Sequence, residues 1–305
     1  MRNAFAKALY EEAVKNPDIY IVTADISPVG DIHKFREEYP DRFIDVGVSE
    51  QTMIGVCAGL ALKGKQPFAY SIATFSLYRP FEFIRNDLCY QNLPVTVVGM
   101  GSGVIYSDHG GTHHTMEDIG IASAIPNMQI IAPCDPLETI EATKWCCQQK
   151  NGPVYLRLGK SGEPNLTQHA SGWGFNSSRT LKTDDNDGCH WKWAILSYGP
   201  IANLAYKVAK EVGGSLVTFH TLKPLDRESV KDIVEVYDNV VVIEEHVPNG
   251  GLSSQIKQIA WDIKAQCRLD CFTLQDKFIH CNGRHADMLV AHGLTLENII
   301  ERLRA

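Results

Sequence analysis

A chain of 305 residues with 44% hydrophobic content can bury a sizeable core, and at ~150 residues per domain it is expected to form two domains. A formal net charge of −7 and a pI near 5.9, with no basic stripe, argue against nucleic acid or an anionic membrane surface as partner. No apolar run reaches the ~20 residues of a membrane span, and nine cysteines without paired spacing read as free thiols of a reducing compartment, the cytoplasm.

The chain opens with MRNAFAKALYEEAV, an amphipathic helix pattern containing acids rather than a signal peptide. Residues 19–27 (IYIVTADIS) form an apolar strand with Asp25 near its carboxyl end, where open α/β sheets place ligands. Asp25 is therefore a candidate binding residue; a turn-forming aspartate ahead of Ser27-Pro28 explains it equally well. A second strand over 42–46 leads into a helix with Met53, Ile54, Cys57, Leu60 and Ala61 at helical spacing and Gly64 as its stop. Ser49 is the expected N-cap, which puts Glu50 at the positive end of the helix dipole. Acids are common in first turns for that reason alone. Here small and apolar residues follow for most of three turns, so the helix is expected to be covered all round. A carboxylate entering such a layer loses solvation and gains proton affinity, the property acid–base work requires.

A third strand over 66–73 ends just before Phe75, and 80–91 reads as a helix with Pro80 in its first turn. The all-apolar run LPVTVVGMG is a buried strand that enters a glycine-rich loop, weak evidence for phosphate binding on its own. The loop continues through SDHGGTHHTMED, carrying His109 and His113. A strand over 128–133, a helix over 135–149 and the strand GPVYLRLGK, with Arg157, close the first unit. From 161 to 188 periodicity collapses into turn formers, including TDDNDG, as in a linker. A second run of alternating strands and helices then follows. Glu244, Glu245 and His246 lack metal-ligand spacing, and a strand end suffices to explain them. The alternation implies an α/β fold of two doubly wound, mostly parallel sheets, with a first domain over 1–165, a linker over 166–189 and a second domain over 190–305.

The stretch DVGVSEQTMIGVCAGLALKGKQPFA resembles the pyrimidine-binding domain of the transketolase family, and HTLKPLD with VVVIEEHVPNGGLSSQI resembles the C-terminal domain of that family. The second of these is shared with deoxyxylulose phosphate synthases and 2-oxoacid dehydrogenase β subunits. The resemblance implies thiamin diphosphate as cofactor. Glu50 would share a proton with a ring nitrogen of its aminopyrimidine and promote the imino tautomer that deprotonates the thiazolium carbon. Phe75 would stack on that ring, Asp25 would lie close to the cofactor, and His113 would face the substrate. Arg157 falls in a region the family uses to bind the sugar, often its phosphate. A small second domain with a structural and dimer-forming role is implied as well.

The resemblance covers only the last two of the family's three domains. The Gly-Asp-Gly and downstream Asn pattern that holds Mg²⁺ and the diphosphate is not in this sequence. This implies half of a split transketolase, with no metal ligands of its own, Mg²⁺ held by a separate N-terminal subunit and an α2β2 assembly. Alone, the chain is expected to be inactive and to bind the cofactor poorly. Several substrate positions depart from the family. Gly101 stands in place of a histidine, Val29 in place of a serine, and His109 in place of an aspartate that reads a hydroxyl; Arg2 matches a phosphate-binding arginine. The expected reaction is therefore transfer of a two-carbon ketol unit between sugars other than ordinary pentose phosphates, unphosphorylated or nucleotide-linked. The alternatives are a 2-oxoacid dehydrogenase β-type or deoxyxylulose-phosphate-synthase-type carboligase subunit, and a non-catalytic scaffold half.

Overall fold

A computed structural model describes residues 1–170, 172–181, 192–281 and 283–305. Twelve strands are present among them. In the first half they are β1 (Ile19–Thr23), β2 (Phe43–Asp45), β3 (Gln66–Ile72), β4 (Thr96–Met100), β5 (Gln129–Ile131) and β6 (Val154–Leu158). In the second they are β7 (Arg179–Leu181), β8 (Trp193–Ser197), β9 (Ser215–Thr218), β10 (Thr221–Lys223), β11 (Asn239–Ile243) and β12 (Arg268–Phe272). All are short, and β1, β4, β5 and β11 are rich in Val and Ile, as strands buried on both faces by crossover helices should be.

The first sheet runs β10-β5-β6-β4-β3-β1-β2, parallel except for β10. The chain leaves β1 to form β2 on one side and returns to form β3 on the other. Strand order therefore reverses at β1, and ligands of open α/β sheets bind outside the carboxyl ends of the strands at such a point. Asp25 follows β1, Glu50 begins the helix after β2 and Phe75 follows β3. The fold thus delivers all three to one edge.

One face of this sheet packs Phe5 and Leu9 of the Arg2–Lys15 helix onto Ile21, Phe68 and Met100. The other packs Met53, Ile54 and Cys57 of the Glu50–Leu62 helix onto Val22, Ala69 and Val97. That second layer continues without a break into Leu196, Val217 and Val242 of the second sheet, whose order is β12-β11-β8-β9-β7.

Several local expectations are corrected. Ser49 is the N-cap residue, as expected, but its hydroxyl makes no cap bond; it pairs with the Thr52 hydroxyl at 2.6 Å. The Glu50–Leu62 helix is not covered all round, since Gln51, Thr52, Gly55, Gly59 and Leu62 are exposed along one side. Residues 80–91 form a short helix, Phe81–Phe83, followed by a π-helical stretch, Ile84–Tyr90. Within the polar stretch read as linker, β7 pairs antiparallel with β9, while TDDNDG lies outside the described residues. β10, by sequence part of the second unit, joins the first sheet.

Candidate active site

The carboxyl edge of the first sheet is assembled from short, tightly turned segments. Asp45, the last residue of β2, accepts from the amides of Asp25 and Gly47, each at 3.0 Å, and so ties the ends of β1 and β2 together. Asp25 is exposed and holds a left-handed φ of 49°, a conformation that costs a non-glycine residue energy. Gly47, with φ of 72°, turns the chain so that Glu50 starts the next helix.

Glu50 is 3% exposed. Its Oε1 accepts from Nη1 of Arg79 at 2.9 Å, and the Arg79 guanidinium lies 4.1 Å from the centroid of Phe75. The Arg79 carbonyl is in turn held by Nε2 of Gln51 at 3.3 Å. Two features therefore share one spot: a buried carboxylate and an aromatic face, bridged by a flat group that donates to the first and stacks on the second.

His113 meets the edge of Phe75, with ring centroids 5.0 Å apart at 69°. His109 is 4.9 Å from His113, and Tyr106 is 5.3 Å from His109. Burial, the neighbouring His109 and His114 and the Arg79 cation hold His113 below the usual histidine range, so it is neutral at pH 7. The Thr112 hydroxyl lies 3.0 Å from its Nδ1. With that hydroxyl donating, Nε2 keeps the proton and presents a donor to a ligand hydroxyl. His109 pairs with Asp108 at 2.7 Å on the exposed rim. The side chain that Gly101 lacks would run into the Tyr106 ring, so glycine at this position makes room for Tyr106 in the histidine loop.

Arg157 does not join this group, and the expectation that it meets a sugar is corrected. It is 1% exposed; Nε donates to Asp118 Oδ2 at 2.8 Å and Nη2 to the carbonyl of Glu245 at 3.0 Å. A strand buried on both faces leaves its side chain nowhere to go except the seam between the two sheets. Glu244, Glu245 and His246 follow directly on the end of β11, as expected, and all three are buried in that seam with defined partners. Glu244 caps the Leu252–Asp262 helix by accepting from the amides of Leu252 and Ser253, at 2.8 and 3.0 Å. His246 accepts from the amide of Gly120 at 3.2 Å.

Sequence reasoning passed over Arg79. Its spacing of four from Phe75 was an available signal, since residues i and i+4 share a face of any helical turn. It had no signal for the partners of Glu245. Among the described residues, no group of three or more His, Cys, Asp or Glu is placed to hold a metal ion, and no helix is long and apolar enough to cross a membrane.

Comparison with known proteins gives two domain matches. Residues 1–164 match the transketolase pyrimidine binding domain and residues 191–299 the transketolase C-terminal domain. The chain is 30% identical, over 95% of its length and 93% of the relative, to one subunit of the apulose-4-phosphate transketolase of Actinobacillus succinogenes. It is 31% identical to 1-deoxy-D-xylulose-5-phosphate synthase of Thermotoga maritima, over 94% of this chain but 46% of that protein. Among solved structures, a chain described as a split gene transketolase, inactive β4 tetramer, superposes with a TM-score of 0.85 at 30% identity, covering 99% of this chain and 96% of that one.

Proposed function

The chain belongs to the transketolase family, and on that premise we propose that it is the pyrimidine-binding subunit of a split, thiamin-diphosphate-dependent transketolase. The observation that carries this reading is the flat group already seated between Glu50 and Phe75. A guanidinium presents N–H donors in a plane, as the edge of a protonated aminopyrimidine does. The seat accepts it with a 2.9 Å bond to Glu50 and a 4.1 Å stack on Phe75. The residues present therefore fit the aminopyrimidine half of the cofactor.

When bound, thiamin diphosphate supplies the nucleophilic carbon and the electron sink that carbon–carbon cleavage beside a carbonyl needs. Glu50 holds the proton at its carboxylate against the ring nitrogen, and burial keeps water from competing for it. Phe75 fixes the plane of the ring. His113, neutral and edge-on to Phe75, donates to a sugar hydroxyl, with His109 beside it on the rim; Asp25 borders the same edge. Mg²⁺ and the diphosphate are held by a partner N-terminal subunit, in an α2β2 assembly in the cytoplasm. The inactive β4 tetramer of a similar chain supports the expectation that this chain alone does not turn over.

Glycine at 101 and histidine at 109 support a sugar other than the ordinary pentose phosphates. The relative named for apulose 4-phosphate supports that compound as one partner in the transfer, a phosphorylated sugar in place of the unphosphorylated or nucleotide-linked one expected from the sequence. The likeness to a deoxyxylulose phosphate synthase favours a second reading, carboligation of a 2-oxo acid. Reconstitution with a diphosphate-binding subunit tests both. Ketol transfer without CO₂ release is expected; CO₂ release from a 2-oxo acid selects the second reading, and turnover by this chain alone refutes the split one.

A further inference from the structure

The loop that carries His109 and His113 is gripped from the second domain. Its base is closed by a bridge between Gly103 and Thr115, with N···O distances of 3.2 and 2.8 Å. The next amide, that of Val104, has its acceptor across the domain seam: Oε1 of Glu245, at 2.6 Å. Gly103 has φ of 70°, and a Cβ there would strike the same carboxylate. Farther along, the Ser107 hydroxyl donates to the carbonyl of Gly283 at 2.7 Å, and beyond the loop the carbonyl of Met116 accepts from Val247 at 2.9 Å. Glu245 is itself 2% exposed and would be an uncompensated buried charge without a cation. Nε2 of His285, at the start of the His285–Ala291 helix, donates to it at 2.9 Å.

We propose that Glu245, with His285 as its counter-cation, is a positioning residue that sets the histidine loop of the active site from the second domain. This gives that domain a part in substrate binding, and it rests on the reading of His109 and His113 as substrate contacts. Burial opposes the His285 cation, but the Glu245 charge and hydrogen bond outweigh it and hold His285 above the usual histidine range. Glu245, raised by burial but held down more strongly by His285, the Val104 amide and Arg157, stays ionised. The other titratable groups acting on the pair are His114 and His292, which feel the Glu245 charge, and Glu163, which acts on His285. The clamp is therefore fully closed between the unfolded glutamate and histidine values; it opens as pH rises through the higher folded value of His285 and as pH falls through the lower folded value of Glu245.

Hydrogen exchange followed by mass spectrometry on the full chain, corrected for the chemical rate, reads the clamp directly. In the wild type, protection of residues 104–115 is expected to fall at least threefold between pH 6 and 9. Glu245→Gln should lower it at least threefold at pH 6, and His285→Asn should abolish its pH dependence, with strands β3 and β4 as protected as before. If Glu245→Gln does not fold, His285→Asn, which leaves Glu245 and Arg157 in place, carries the test. In the complex with the diphosphate-binding subunit, either variant should raise KM for the acceptor sugar about tenfold with kcat within threefold, whereas a purely structural role would lower kcat alone. An unchanged loop, or a loosened loop with unchanged KM, overturns the proposal. If the wild-type complex shows no ketol transfer, the functional reading fails while the exchange result still decides the clamp.

Discussion

Replacing Arg79 by alanine separates the two things this side chain does. A hydrogen bond to a buried carboxylate is worth ~1.5–3 kcal/mol, and a cation over a ring about 0.5–1 kcal/mol at an exposed site. Arg79 is 45% exposed, so solvent screens both contacts, and a net value of roughly 1–2 kcal/mol is expected. A ring that stacks on Phe75 and bonds to Glu50 must first displace the guanidinium. Alanine removes that competition, so thiamin diphosphate should bind the reconstituted complex about five- to thirtyfold more tightly, at about 1.4 kcal/mol per tenfold. The unliganded chain should lose stability, because Glu50 is left buried without its cation. The two effects have opposite signs, and that is the test. Calorimetric titration with the cofactor and thermal melting of the free chain measure them. Binding weakened fivefold or more would refute the reasoning, since it would mean that the guanidinium belongs to the loaded site.

Three further perturbations probe the scaffold. Arg157→Met strands Asp118, which is fully buried, and should cost about 3–5 kcal/mol in urea unfolding; a cost below about 1 kcal/mol would mean that the seam does not need the pair. Gly103→Ala places a Cβ against Glu245 at a left-handed φ and should destabilise by ~1–3 kcal/mol while raising KM for the sugar, checked by melting and steady-state kinetics. The His285–Glu245 pair also carries a pH signature. His285 is raised from 6.5 on folding, so its contribution to stability is full below that value and lost as pH rises through its folded pKa. Glu245 is lowered from 4.5, so its contribution is present above that value and lost as pH falls through its folded pKa. The melting-temperature gap between wild type and His285→Asn should accordingly be widest near pH 5–6 and close toward pH 9; a gap independent of pH would show that the pair is not charged.

What could be read in the sequence was whatever depends on local pattern. The parallel strands β1, β4 and β11 announce themselves as largely apolar, β-branched runs because both faces of each are buried. The Glu50 helix and Phe75 could be placed because their spacing around a Gly-Lys turn is short-range. Pairings made at long range were hidden. β10 is three residues long and joins the first sheet as an antiparallel edge, and β7 sits in a stretch of turn formers; neither has a period to detect. Arg157 misled for a related reason. The resemblance pointed Arg157 at a sugar, while its partner Asp118 and the Glu245 carbonyl come from segments 39 and 88 residues away and leave no local sign in the strand. Polar residues in the seam between sheets take their meaning from the other sheet.

The central claim is that the Glu50 carboxylate works as an acid–base group on a cofactor shared with another chain. Glu50→Gln keeps the shape and removes the charge, so turnover of the reconstituted complex should fall by about 10²–10⁴, with assembly in analytical ultracentrifugation unchanged. Ketol transfer at near wild-type rate in that variant would contradict the account.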